Sequence, residues 1–149
     1  MLEINKINLF SVKDERGVLT AVEGGVDIPF EIKRVFYMHH VVKGAARGGH
    51  AHRDTDQIAI AVSGSINILL SDGEQEVSVT LDDPSCGLYL PRMTWTALQD
   101  FGNNGVCLVL ASSHYDMNKS IRDWGSYLTE LNLMYRLEPH FDSLKSWNE

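Results

Sequence analysis

Two histidines one residue apart, His50 and His52, are the side chains of this sequence best suited to chemistry. Residues at positions i and i+2 of a β-strand point to the same face of the strand. Burying two imidazoles side by side is costly unless the rings are hydrogen-bonded or used. Imidazole titrates near neutral pH, so such a pair suits general acid–base catalysis. The alternative interpretation is a hydrogen-bonded pair of core or rim histidines.

The elements that must position this pair are predicted to be β-strands. Short apolar runs broken by turn residues follow one another between residues 18 and 111, at the spacing of a sandwich or barrel. Gly-containing turns at 63–65 and 71–73 predict tight hairpins. Helical periodicity is confined to the last third, with one helix predicted over 119–132 and a final turn or two over 140–147. The pattern indicates one all-β domain over 1–149 with a short C-terminal helical segment.

Charge and composition restrict the partners of the chain. It has 149 residues and a formal net charge of −7, from 13 Lys and Arg against 20 Asp and Glu. An acidic chain without a basic run is a poor partner for nucleic acid or an anionic membrane. No apolar run approaches the ~20 residues of a membrane span, and the N-terminus does not have the pattern of a signal peptide. Cys86 and Cys107 have no zinc or redox spacing, which predicts reduced thiols and a cytoplasmic location.

The Gly-rich frame of the histidine pair resembles a known motif. The spacing Gly-x5-His-x-His from Gly44 to His52 resembles the first motif of the cupin superfamily. The resemblance implies a jelly-roll fold and two further metal ligands, a Glu and a third His. This chain has Gln57 and Thr96 at those positions, and a neutral amide and a hydroxyl are weak ligands for a divalent transition metal. We therefore expect no metal and no organic cofactor, which disfavours an oxygenase.

A longer set of segments carries a closer resemblance. In order, they are Ile-Pro-Phe-Glu-Ile-Lys-Arg-Val-Phe-Tyr (28–37), Arg-Gly-Gly-His-Ala-His-Arg (47–53), Val-Ser-Gly-Ser (62–65), Leu-Val-Leu-Ala-Ser (108–112), Tyr-Asp (115–116) and Ile-Arg-Asp-Trp (121–124). Together they resemble the nucleotide-sugar 3,4-ketoisomerases, which act on dTDP-4-keto-6-deoxyglucose. The resemblance implies a cupin jelly roll, a homodimer with exchanged N-terminal strands and a bound dTDP moiety. Ser120 and Trp124 stand where Tyr is frequent in that family, which we interpret as a packing change.

The reaction implied by the resemblance moves a ketone from carbon 4 to carbon 3 of the sugar through an enediolate, in deoxyaminosugar biosynthesis. It needs a base that titrates near neutral pH and donors near the developing oxyanion. His50 is the candidate base and His52 its partner in proton relay or oxyanion stabilisation, and the two roles are interchangeable at this point. Tyr37 is a further candidate for proton transfer or for a hydrogen bond to the sugar, with a barrel-wall aromatic as the alternative.

Substrate-binding candidates are Arg16, Arg34, Arg47, Thr96 and Arg122. Arg47 lies in a Gly-rich turn and suits a pyrophosphate. Arg34 is preferred to the adjacent lysine for a phosphate, because only one of two neighbouring strand residues faces inward. Arg16 is expected to border the sugar, and Arg122 fits a structural ion pair equally well. Thr96 is expected near the sugar ring, where the family often has a basic residue, and this leaves the product's configuration at carbon 4 open.

Two other functions compete with the isomerase. One is a keto-sugar epimerase of the dTDP-rhamnose type, which also removes a proton beside a ketone. The other is a cupin that binds a nucleotide sugar without turnover. Solvent hydrogen exchange into the sugar distinguishes binding alone from catalysis.

Overall fold

The computed structural model describes residues 2–137. Within them the chain forms strands, one 3₁₀ turn (Met117–Lys119) and one helix, α1 (Trp124–Leu137). The strands are β1 (Lys6–Asn8), β2 (Phe10–Asp14), β3 (Gly17–Ala21), β4 (Arg34–Met38), β5 (Arg47–His52), β6 (Gln57–Ser71), β7 (Glu76–Leu81), β8 (Cys86–Leu90), β9 (Trp95–Ala111) and β10 (Ser120–Ile121). The predicted all-β class with a C-terminal helix is confirmed. The turn predicted over 140–147 lies outside the described residues.

Two long strands, β6 and β9, form the frame of the barrel. They pair in antiparallel register, with shifts of register around Gly64. Gly64 has a φ of +62°, and a Cβ there would collide with the backbone carbonyl of Gly102. The hairpin predicted at 63–65 is therefore wrong, because this glycine serves a bulge within a continuous strand. The hairpin predicted at 71–73 is confirmed: β6 pairs with β7, and Asp72 accepts backbone hydrogen bonds in the turn.

The bulge at Gly64 divides β6 and β9 between two facing layers. One layer has the order β1-β8-β6-β9-β4, and the other has the order β7-β6-β9-β5-β10. Apolar side chains from both layers fill the space between them, and they include Ile68, Leu88 and Val109. This arrangement of antiparallel strands in two layers is the predicted jelly roll.

Helix α1 packs on the outside of the second layer. It begins at Trp124 rather than at residue 119, because Ser120 and Ile121 pair with β5 as β10. Asp123 accepts hydrogen bonds from the backbone N–H and the hydroxyl of Ser126, which caps the first turn. The buried Tyr127 hydroxyl donates to the backbone carbonyl of Met93 at 2.8 Å. The helix therefore holds the outer face of β5 and β10, whose inner face carries the histidines.

Strands β2 and β3 form a two-stranded sheet apart from the barrel. Its apolar side chains are exposed in the single chain, and they include Phe10, Val18 and Leu19. None of the helical segments within residues 2–137 has the length and apolar character needed to cross a bilayer.

Candidate functional site

A bulge in β5 directs His50 and His52 into a cavity of about 480 Å³. The β5–β9 register shifts between Gly48 and His50. Gly48 has a φ of +86°, and a Cβ there would lie 2.9 Å from the backbone carbonyl oxygen of Thr96. Beyond the bulge the residues alternate, so both histidines face inward while the buried Ala51 packs beneath α1. The predicted convergence of the two imidazoles in the barrel interior is what the structure shows.

The two imidazole rings are in direct contact. The Nε2 atoms of His50 and His52 lie 3.1 Å apart, and the ring planes are 88° apart. The Nε2 atom of His52 also lies 3.3 Å from the Gln57 amide nitrogen. Its Nδ1 atom lies 3.5 Å from the hydroxyl of Ser120. The pair is thus part of a chain of polar groups and not two isolated rings.

The surroundings keep both imidazoles neutral near pH 7. Burial is the main cause that lowers the pKa of His50, and the charge of Arg122 lowers it further. Burial also lowers the pKa of His52 to about 4, and the neighbouring His50 contributes. Arg34 and Arg122 act in the same direction on His52, and only Asp54 opposes them. A neutral imidazole carries a free lone pair, so the pair can accept a proton.

Three arginines line the same cavity: Arg34, Arg47 and Arg122. The Arg34 guanidinium lies 5.0 Å from the centre of the Phe36 ring and 5.5 Å from that of Tyr115. Its buried Nε has no hydrogen-bond partner among residues 2–137. Buried donors are rarely left unpaired, and a guanidinium pairs best with a phosphate or a carboxylate. The cavity therefore offers cationic donors to an anionic ligand.

Thr96 and Gln57 lie beside the histidines, at the back of the site. Thr96 pairs with His50 in the β5–β9 register. Both residues line a second, smaller cavity of about 60 Å³, together with the two histidines. Within residues 2–137 no group of at least three His, Cys, Asp or Glu side chains is arranged to hold a metal ion. An amide and a hydroxyl add only weak ligands to the two imidazoles.

Two predicted site residues lie away from this cavity. Tyr37 is 62% exposed, because it alternates with the inward-facing Arg34 and Phe36 of β4 and lies on the outer face. The catalytic role predicted for Tyr37 is therefore not supported. Arg16 lies in the turn between β2 and β3, where its 84% exposed side chain forms an ion pair of 2.6 Å with Asp14. A single chain does not bring Arg16 to its own cavity.

Two side chains at the site were not identified from the sequence. Ser120, interpreted as a packing residue, pairs with His52 in the β5–β10 register, which puts its hydroxyl beside the imidazole. Tyr115 lines the cavity next to Arg34. A strand of only two residues has no periodicity to detect, so the pairing of β10 with β5 was the missing signal.

Comparison with known proteins gives a consistent result. A protein-family model described as FdtA: WxcM-like, C-terminal, matches residues 2–132. The TDP-4-oxo-6-deoxy-alpha-D-glucose-3,4-oxoisomerase of Aneurinibacillus thermoaerophilus is 37% identical over 135 residues, which cover 89% of this chain and 97% of that protein.

Solved structures agree with the sequence relatives. A histidine-to-asparagine variant of the 3,4-ketoisomerase QdtA from Thermoanaerobacterium thermosaccharolyticum, in complex with TDP-4-keto-6-deoxyglucose, superposes with a TM-score of 0.87. It is 38% identical, and the match covers 91% of this chain and 99% of that one. A 3,4-ketoisomerase from Helicobacter canadensis has a TM-score of 0.85 and 36% identity, with 89% of this chain and 99% of that one covered.

Proposed function

This chain belongs to the WxcM-like FdtA family, and we propose that it converts dTDP-4-keto-6-deoxy-D-glucose to a dTDP-3-keto-6-deoxyhexose. It is an isomerase of the nucleotide-sugar 3,4-ketoisomerase class, as its relatives are. The observation that carries the proposal is the contact of two neutral imidazoles, 3.1 Å apart, inside a cavity lined by three arginines. Such a site combines a neutral imidazole that can accept a proton with cationic groups for a diphosphate.

The histidine pair supplies the proton transfers. A neutral imidazole takes the proton from carbon 3, and the C–H electron pair forms a double bond to carbon 4, whose carbonyl oxygen becomes an oxyanion. The proton on the oxygen of carbon 3 then passes to the oxygen of carbon 4. Carbon 4 receives a proton from the histidine pair as the carbonyl forms at carbon 3. Substrate and product are isomers, so the step consumes no electron donor or acceptor.

The arginines supply binding and charge stabilisation. Arg34 has a buried Nε without a hydrogen-bond partner among residues 2–137, and Arg47, at the start of β5, lines the same cavity. We assign these two to the diphosphate, because planar guanidinium groups bind phosphate oxygens in pairs. Arg122 lines the cavity near both histidines and contributes positive charge at each of them. We assign Arg122 to the oxyanion that develops during the reaction.

We further propose that two copies of the chain exchange their N-terminal strands. Among the described residues, the β2–β3 sheet pairs with no strand of the barrel and leaves Phe10, Val12 and Leu19, which share one face, more than half exposed. An exposed apolar patch of this kind usually marks an interface. A second copy covers it if the sheet reaches across to the partner barrel. Exchange also gives Arg16, at the tip of this sheet, access to the partner's cavity, where it borders the sugar.

The proposal is tested by incubating the protein with dTDP-4-keto-6-deoxy-D-glucose and recording the NMR spectrum of the fresh mixture. The expected result is a product with its ketone carbon at position 3. An epimerase would instead invert a carbon beside an unmoved ketone. A purely binding protein would return the substrate unchanged, and either result overturns the proposal.

A further inference from the structure

Gln57 is fixed where it contacts only one of the two histidines. It is the first residue of β6, where it is paired with Leu90 on one side and Ala111 on the other, and it is 7% exposed. Its amide nitrogen lies 3.3 Å from the Nε2 atom of His52. An amide nitrogen donates hydrogen bonds and does not accept them. The Nε2 atom of His52 is therefore the acceptor, and the proton of the neutral ring lies on Nδ1, which faces the Ser120 hydroxyl at 3.5 Å.

His50 has different neighbours. The backbone carbonyl of Gly48 favours the protonated ring of His50, and the Nε2 atom of His50 lies beside that of His52. The two Nε2 atoms are 3.1 Å apart, the length of an N–H···N hydrogen bond, so the contact is a hydrogen bond when one of them carries a proton. One proton placed between them stabilises the pair, whereas a second would put two like charges in contact.

The two rings are not equivalent. The Nε2 atom of His52 already accepts a hydrogen bond from Gln57, which reduces the basicity of His52. The charged groups around the pair reinforce this difference: Arg34 and Arg122 both oppose a proton on His52, and only Asp54 favours it. On His50 the resolved charge is that of Arg122 alone, and the Gly48 carbonyl favours the protonated ring.

We propose that Gln57 is a positioning residue that holds His52 in the Nδ1–H tautomer and so makes His50 the base that takes the proton from carbon 3. This inference rests on the proposed isomerase function and assigns the roles within its histidine pair. His52 then receives the proton through the Nε2–Nε2 contact or stabilises it there. In this role Gln57 acts through its hydrogen bond to His52.

The first test reads the tautomers directly, without substrate. ¹⁵N NMR of histidine-labelled protein at pH 8 distinguishes protonated from unprotonated ring nitrogens, and the His50→Asn variant assigns the two rings. The expected spectrum shows an unprotonated Nε2 and a protonated Nδ1 on His52. A protonated Nε2 on His52 overturns the inference, even if the protein isomerises the sugar normally. Absence of isomerisation in the wild type would instead overturn the proposed function.

The second test uses two replacements of similar shape. Gln57→Met removes the donor, and Gln57→Glu replaces it with an acceptor. In Gln57→Met, kcat should fall by about 3- to 10-fold, the typical range for one lost hydrogen bond, with KM unchanged within about 2-fold. Because the His52 lone pair becomes more basic, the acid limb of the kcat–pH profile should move to higher pH. In Gln57→Glu the carboxylate accepts from Nε2–H, so this shift should be larger.

A matched control is Gln99→Met, the same replacement on β9. The Gln99 amide donates a hydrogen bond of 3.3 Å to Asn67, and this bond lies away from the histidines. This variant should keep the wild-type kcat and pH profile. Equal dTDP affinity in the wild type and all three variants would show that the cavity is intact. If Gln57→Met leaves both kcat and the pH profile unchanged, Gln57 does not set the roles of the histidines.

Discussion

The guanidinium carbon of Arg34 lies 5.0 Å from the centre of the Phe36 ring, two residues along the same strand. The contact exists because alternate residues of β4 share the inward face. It holds the guanidinium at the cavity wall before any ligand is present, with Nε unpaired among the described residues. A preformed donor loses less conformational freedom when a phosphate binds than a free arginine side chain would.

Replacing Arg34 should therefore weaken nucleotide binding. Arg34→Ala is expected to raise the dissociation constant of dTDP by roughly 10- to 100-fold, the range for a lost hydrogen bond to a charged group. Isothermal titration calorimetry measures the change. Lys33→Ala is the matched control, because Lys33 is the adjacent cation and is not among the cavity residues. Equal losses in the two variants would show that net charge, and not the position of Arg34, controls binding.

Loss of the base should remove turnover and leave binding intact. His50→Asn keeps a polar side chain of similar size but cannot accept a proton at neutral pH. We expect kcat to fall by roughly 100- to 10,000-fold, the usual contribution of general acid–base catalysis. The dissociation constant of dTDP should stay near its wild-type value, because the arginines bind the diphosphate. Turnover near the wild-type rate would exclude His50 as the base.

Activity should persist below the pH at which an ordinary histidine becomes protonated. Burial lowers the pKa of His50 from 6.5, and that of His52 falls to about 4. Since the reaction needs both imidazoles neutral, kcat/KM should be constant above pH 6.5. It should decline only as the pH falls through the lowered pKa values of the two histidines. A pH–rate profile in buffers of constant ionic strength measures this. An acid limb centred at or above pH 6.5 would contradict the assignment of these buried imidazoles.

The exchange of N-terminal strands predicts a dimer that depends on the β2–β3 sheet. Leu19→Glu puts a charge on its exposed apolar face and should convert dimers to monomers in light scattering after size-exclusion chromatography. Val26→Glu is the control, because Val26 is 74% exposed and lies outside this sheet. A wild-type monomer, or a Leu19→Glu dimer as stable as the wild type, would contradict the exchange. If Arg16 acts in the partner's cavity, Arg16→Ala should lower activity without changing the mass.

The histidine pair was predictable because its signal is local. Two imidazoles at positions i and i+2 share a strand face in any register, so His50 and His52 had to converge. The hairpin at 71–73 was also predicted correctly, because its residues end a strand. The hairpin predicted at 63–65 was wrong, because a glycine that bends a continuous strand is the same residue type as one that reverses the chain.

The placements that the sequence did not predict depend on which face of a strand is buried, or on strand pairing. Both faces of β4 contain apolar residues, so the sequence does not show that Phe36 faces inward and Tyr37 outward. Arg16 lies in the turn of the β2–β3 sheet, which is separate from the barrel. No local sequence pattern indicates this separation. Ser120 reaches His52 only through the pairing of two distant strands.

The central claim is that the histidine pair removes a proton from carbon 3 of the sugar, exchanges it with solvent and delivers a proton to carbon 4. The most direct measurement is turnover of dTDP-4-keto-6-deoxy-D-glucose in D₂O, followed by ¹H and ¹³C NMR. We predict a product with its ketone at carbon 3 and deuterium at carbon 4, and neither change with the His50→Asn variant. Deuterium at carbon 5 with the ketone still at carbon 4, or no change in the sugar, would contradict the account.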